Sequence, residues 1–187
     1  MARKNALYNG AYHMIPSVYA GRNKDDFEPQ RTNNFEVQFT DLDGSETITL
    51  ATADFGAPDI SVSTLDVSYG NSKVHFAGTP SYSGGSFTCN DFIGLNVEKI
   101  LNAWFKKVYN PETETIGKAS DYKKTAYLSE FSPDYTLVRQ WELIGCFPTQ
   151  LNLGSYSQSN NSVRSVSLNI SYDYAKPVDS GSAISLA

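Results

Sequence analysis

Val166-Ser167-Leu168-Asn169-Ile170-Ser171-Tyr172-Asp173-Tyr174 alternates apolar and polar residues without a break. Val166, Leu168, Ile170, Tyr172 and Tyr174 fall on one face. Ser165, Ser167, Asn169, Ser171 and Asp173 fall on the other. A period of two is the mark of a half-buried β-strand. At about 3.3 Å per residue the run spans roughly 30 Å. A strand that long presents a flat edge, which a monomer must blunt and an oligomer can pair.

The chain around it reads the same way. Asn34-Phe35-Glu36-Val37-Gln38-Phe39-Thr40 alternates cleanly, with Phe35, Val37 and Phe39 on one side and Glu36 and Gln38 on the other. Asp41-Leu42-Asp43-Gly44 has turn chemistry, which predicts a hairpin returning as a strand over Glu46–Ala51. Ser86–Asn90, Lys124–Phe131 and Thr136–Gly145 are further strand runs, the last of them ended by Phe147-Pro148. Residues 111–122 and 154–162 are polar loops by composition. Residues 54–82 form a long excursion punctuated by Gly56, Pro58, Gly70, Gly78 and Pro80. Within it, Ile60–Tyr69 and Lys73–Ala77 predict a hairpin turning at Gly70-Asn71.

One stretch breaks the β pattern. In Asn96–Tyr109, residues Val97, Ile100, Leu101, Trp104, Phe105 and Val108 recur at helical spacing and form an apolar stripe. Asn96 is a candidate N-cap, Glu98 sits in the first turn, and Lys106 and Lys107 sit in the last. Asn110-Pro111 stops the helix. The organisation expected is an N-terminal arm over 1–31, a β domain over 32–176, and a small flexible tail over 177–187.

Composition narrows the function. The chain has 187 residues, 15 Lys+Arg and 20 Asp+Glu, for a net charge of −5. That balance argues against gripping nucleic acid by phosphate neutralisation, though not against nucleic acid sliding past. Charged residues are 19% of the chain, below the ~25% of ordinary soluble domains. No apolar run reaches the ~20 residues of a membrane helix. Met1-Ala2-Arg3-Lys4-Asn5 lacks an apolar segment behind it, so no secretion signal or membrane anchor is expected, and the chain reads as made in the cytoplasm. Cys89 and Cys146 cannot build a disulfide framework and read as buried thiols. His13 and His75 lack ligand neighbours at metal spacing. With no phosphate loop and no nucleophile elbow, neither an enzyme, nor a cofactor, nor a metal is expected.

What is present points to assembly. The strands carry polar but mostly uncharged outer faces. The arm and the excursion add chain that a single domain does not need, and long excursions of this kind reach outward or carry function.

Four segments carry a family resemblance: Asn33-Asn34-Phe35-Glu36-Val37, Asp121-Tyr122-Lys123-Lys124-Thr125-Ala126, Trp141-Glu142-Leu143-Ile144-Gly145-Cys146-Phe147-Pro148-Thr149, and the closing strand through Asp173-Tyr174. In this order, around one helix, they resemble the tail tube proteins of contractile-tailed, T-even-like bacteriophages over about residues 33–175. The Tyr-Lys-Lys segment, the Gly-x-x-Pro-Thr corner and the Asp-plus-aromatic ending are the similar parts.

The resemblance implies a mainly β fold, a two-sheet sandwich or half-barrel flanked by the helix over 96–109. It implies a homo-hexameric ring whose strands join into one continuous inner barrel. Rings stack into a tube inside a contractile sheath and conduct the genome through the host envelope. Partners would be the sheath, a baseplate or tube initiator, and a tail terminator, with DNA passing through the lumen unbound; the location would be the virion. The long loop at 54–82 would pack on adjacent subunits. On this reading Glu36, Gln38, Thr47, Thr49, Ser167, Asn169 and Ser171 are lumen-facing candidates. Tyr12, Tyr19, Phe55, Pro58, Tyr69, Val74 and Phe76 are inter-subunit candidates. The rivals are the same fold in a tailocin, an extracellular injection system or a type VI secretion system, and, further off, a carbohydrate-binding β-sandwich.

Overall fold

The computed structural model describes residues 30–159 and 161–178. The chain divides into two units, Met1–Asn34 and Phe35–Ala187, and every element described here belongs to the second. In chain order these are β1 (Phe35–Thr40), α1 (Ser45–Ala51), β2 (Thr52–Phe55), β3 (Asp59–Tyr69), β4 (Ser72–Ser83), β5 (Gly85–Asn90) and α2 (Val97–Val108). The short β6 (Tyr109–Asn110), β7 (Thr115–Ile116) and α3 (Ala119–Tyr122) follow, then β8 (Lys124–Phe131), β9 (Leu137–Asn152), β10 (Ser165–Ser171) and β11 (Tyr174–Val178).

The protein is mainly β, as expected. An antiparallel sheet runs in the order β1-β8-β9-β10-β5-β2, with β11 also paired to β9. β9 joins the two halves. Its first part pairs with β8 and β11, and its last part with β10. The apolar faces of these strands make one core with the inner stripe of α2. Val37, Phe39, Phe87, Leu143, Leu168, Ile170, Leu101 and Trp104 are all buried there. Phe39 meets Phe87 and Trp104 edge-on, with ring centroids 5.5 and 5.2 Å apart. Within the α2 stripe, Val97, Leu101 and Trp104 are buried while Ile100, Phe105 and Val108 are half-buried.

Several expectations change. The strand expected over Glu46–Ala51 is helix α1, so the Asp-Gly turn makes no hairpin. Gly44 adopts φ 81°, its carbonyl accepts from Ile48 N–H at 3.2 Å, and Ile48 and Ala51 turn into the core three residues apart. Burial of that pair overrides the strand preference of Thr47-Ile48-Thr49. The Thr49 hydroxyl donates to Val37 O at 2.8 Å, which ties the helix to β1.

Asn96 is not a side-chain cap. It sits in the left-handed region at φ 50°, and only its backbone carbonyl engages the helix. Phe147-Pro148 does not end a strand, because β9 passes through it to Asn152. The closing strand is interrupted at Tyr172-Asp173. β10 lies inside the sheet between β9 and β5, so only β11 lies outermost beside β9. Pro177 and Val178 belong to β11 rather than to a tail, and Pro177 is tolerated where a strand needs no N–H on its outer side. The loop at 111–122 contains β7 and α3. The remainder of the tail, and the arm with Tyr12 and Tyr19, lie outside the described residues.

Candidate assembly surfaces

The sheet has a second face, turned away from the core. Alternation places Glu36 and Gln38 of β1 there, opposite Ser129 and Tyr127 of β8. Tyr127 and Ser129 in turn face Glu142 and Gln140 of β9. In the other half, Ser167 and Asn169 of β10 lie between Thr88 and Ser86 of β5 and Asn152 and Gln150 of β9. Ser171 continues the same row. Glu36, Gln38, Ser167, Asn169 and Ser171 are therefore brought to one continuous polar face. Thr47 and Thr49 are not on it, because they belong to α1.

Hydrogen bonds knit this face. Asn169 Nδ2 donates to Gln150 Oε1 at 2.9 Å, and Gln140 Nε2 donates to Ser129 Oγ at 2.9 Å. Glu142 accepts from the Tyr127 hydroxyl at 3.2 Å and pairs with Lys176 at 2.8 Å. Burial, then the Glu142 charge, pushes the Tyr127 phenol up, and the bond to Glu142 holds the Lys176 ammonium above its usual value. Tyr127, Gln140, Glu142, Gln150 and Lys176 escaped the sequence reading. Their own alternation was visible, but which strand lies beside which was not.

The second surface is the β3–β4 hairpin. Gly70 takes φ 59° at its turn, and Tyr69 pairs with Ser72, as the Gly70-Asn71 reading expects. Every residue of β3 is exposed. Leu65 pairs with Phe76 and Val67 with Val74, and with Tyr69 these make an uncovered apolar face. The opposite face holds Asp66 against His75, with Oδ1 and Nδ1 2.6 Å apart. Tyr69, Val74 and Phe76 thus share one exposed side. Phe55 does not: it is half-buried, and its ring packs edge-on against Phe87 at 5.7 Å. Pro58 is half-buried at the hairpin's root.

A third feature is a corner where the quoted segments meet. Lys123 Nζ lies 2.8 Å from both carboxylate oxygens of Asp173. Tyr122 meets Phe147 edge-on at 5.5 Å. Gly145 bends β9 at φ 75° beside Asp173.

Among the described residues, no three His, Cys, Asp or Glu side chains gather to hold a metal ion. Burial pushes both the Cys89 and the Cys146 thiol up to about 12, which makes them poor nucleophiles. Among the described residues no helix is long and apolar enough to cross a membrane.

No protein-family model matches the chain, and no curated protein matches it. Solved structures do. The chain is similar to the tube-terminating cap of the anti-feeding prophage, with a TM-score of 0.65 and 17% identity over 80% of this chain and 91% of that one. It is similar to a chain of the sheath–tube complex of PVC, an extracellular contractile injection system, with a TM-score of 0.62 and 17% identity over 84% and 99%. It is also similar to the SPP1 tail tube, with a TM-score of 0.51 and 10% identity over 80% and 78%. The chain has the fold of the tube and tube-terminator proteins of contractile injection systems and phage tails.

Proposed function

We propose that this chain is a structural subunit of the inner tube of a contractile phage tail, six copies closing into a ring and rings stacking inside the sheath. One observation carries the reading. The sheet has a buried apolar face and an opposite face that is wide, polar and not basic, with Glu36 and Asp54 as its unpaired charges among the described residues. Such a face suits a channel that must stay wet without holding what passes. DNA carries about one negative charge per 1.7 Å of its axis, so a basic lining would trap it. Here Lys176 is tied to Glu142, while Gln38, Ser167 and Asn169 offer no charge.

On this reading the genome passes along the face of β1, β8, β9, β10 and β5, and the hairpin is an inter-subunit element. The partners are further copies, a sheath, an initiator at the baseplate and a terminator at the far end. The protein would reside in the virion.

The similarity to injection-system chains supports a second version of the same reading, in which the tube belongs to a tailocin-like or extracellular system and carries other cargo. Negative-stain electron microscopy of the concentrated full chain tests both. Six-fold rings or stacked tubes with an open channel are expected. Featureless particles of monomer size would overturn the tube reading.

A further inference from the structure

The closing strand breaks at two adjacent residues, and each of them holds a different part of the molecule. Tyr172 belongs to the core and is 5% exposed. Its phenol oxygen accepts from Asp59 N–H at 3.2 Å, and its ring meets Tyr82 edge-on at 6.2 Å. Asp59 begins β3 and Tyr82 lies near the end of β4, so Tyr172 grips both strands of the hairpin at their root. Gly84 follows, so close to Ile170 that a Cβ would run into the Ile170 carbonyl oxygen. An open polar groove of about 540 Å³ runs along Gly84, Gly85, Thr149 and Asn169 and leaves the root room to move.

Asp173 is engaged on the other side. Its carboxylate accepts from Lys123 Nζ at 2.8 Å on both oxygens, and its N–H donates to Ile144 O at 2.9 Å. Lys123 closes α3, its own N–H donating to Ala119 O at 2.9 Å. The neighbouring Tyr122 O accepts the indole N–H of Trp104 at 2.9 Å, which ties α3 to α2. One unbroken run of contacts thus leads from the hairpin root to α2 through Asp59, Tyr172, Asp173, Lys123, Tyr122 and Trp104.

We propose that Lys123 and Asp173 are positioning residues for the hairpin: their ion pair fixes the β10–β11 break and, through Tyr172, sets how firmly the hairpin root is held, coupling the hairpin to the α2–α3 layer. This coupling belongs to the single chain and stands whether or not rings form.

Three physical arguments support it. Adjacent residues share a rigid peptide plane, so Asp173 cannot shift without carrying Tyr172. The root depends on that phenol, because β3 is exposed along its length and a two-stranded hairpin is marginal in water on its own. The Lys123 and Asp173 side chains are 33% and 50% exposed, so their pair adds little to global stability. Closed or open, it is a local two-state element, which is what carries coupling between distant parts. Coupling is reciprocal, so loosening the root also loosens the bond from Trp104 to Tyr122.

Amide exchange of the dilute full chain, read residue by residue by NMR, is the test. Lys123→Met removes the charge and keeps the stem. It should speed exchange at the Asp59 amide about fivefold, while the amides shared by β8 and β9 stay within twofold of wild type. Asp173→Asn breaks the same pair from the other side and should do the same. Lys123→Arg should restore the wild-type rate. Arg139→Met breaks a like ion pair with Glu130, at 2.9 Å near the start of β9, and should leave Asp59 unchanged. Tyr172→Phe removes the acceptor and should speed the Asp59 amide and the Trp104 indole N–H together. In that background Lys123→Met should add less than twofold at Asp59, because its route is gone. An equal rise at every amide in both Lys123→Met and Asp173→Asn would overturn the coupling, as it would reflect stability alone. An Asp59 rate no faster than in Arg139→Met, or full additivity with Tyr172→Phe, would overturn it as well.

Discussion

Gly145 holds φ at 75°, a backbone region that costs residues with a Cβ roughly 1 kcal/mol or more. A Cβ added there runs into the carboxylate of Asp173. That carboxylate is held by Lys123 Nζ at 2.8 Å, and Asp173 N–H donates to Ile144 O at 2.9 Å. One glycine thus lets β9 bend while the β10–β11 run breaks opposite it. Gly145→Ala should cost about 2–3 kcal/mol, the sum of left-handed strain and a displaced, half-exposed ion pair. The urea midpoint should fall with the slope unchanged. Adding Asp173→Ala should recover part of the loss, because the steric conflict goes with the carboxylate. A wild-type midpoint for Gly145→Ala would refute this account. The residues of this corner were quoted from the sequence as separate segments. Their meeting was not legible, because it depends on a backbone angle and on pairing across long stretches of chain.

At the scale of elements, legibility followed how well the apolar period matched the surroundings. The α2 stripe is unambiguous, since six apolar residues at 3.6 spacing have no reading as a strand. Trp104 is its anchor: 1% exposed, edge-on to Phe39, with its indole N–H donating to Tyr122 O at 2.9 Å. Trp104→Ala should cost about 3–5 kcal/mol, a melting-temperature drop of roughly 10 °C in a chain of this length. An unchanged melting temperature would show that α2 does not pack as described. The hairpin was legible too, because Gly70-Asn71 lies between two β-rich runs. α1 was not. Thr47-Ile48-Thr49 is β-branched and alternating, and only the burial of Ile48 and Ala51 against the core makes it helical. The break at Tyr172-Asp173 was equally hidden, because alternation continues straight through it.

Across the whole molecule, the polar face is a property of strand order rather than of any one strand. Glu36 and Asn169 are far apart in sequence and lie in different halves of the sheet, yet alternation across β1, β8, β9 and β10 puts them on the same side. Sequence alternation named the polar members of β1 and β10 but not their common side, and it placed Thr47 and Thr49 among them wrongly as strand residues. If this face lines a channel, its lack of unpaired cations is what lets DNA slide, and adding positive charge should stop it. Gln38 and Asn169 are both exposed, so Gln38→Lys with Asn169→Lys leaves the core intact and adds two cations per subunit. Tubes of this variant, assembled with a short DNA duplex, should retain a nuclease-protected fragment that wild-type tubes do not. Retention should fall steeply as salt is raised, because each neutralised phosphate releases its condensed counterion and the binding constant drops with a power of the salt concentration. Lysines on the outer wall also bind DNA, but such DNA stays open to nuclease, so protection reports the channel. Variant tubes that protect no more DNA than wild type would place this face elsewhere than on the lumen.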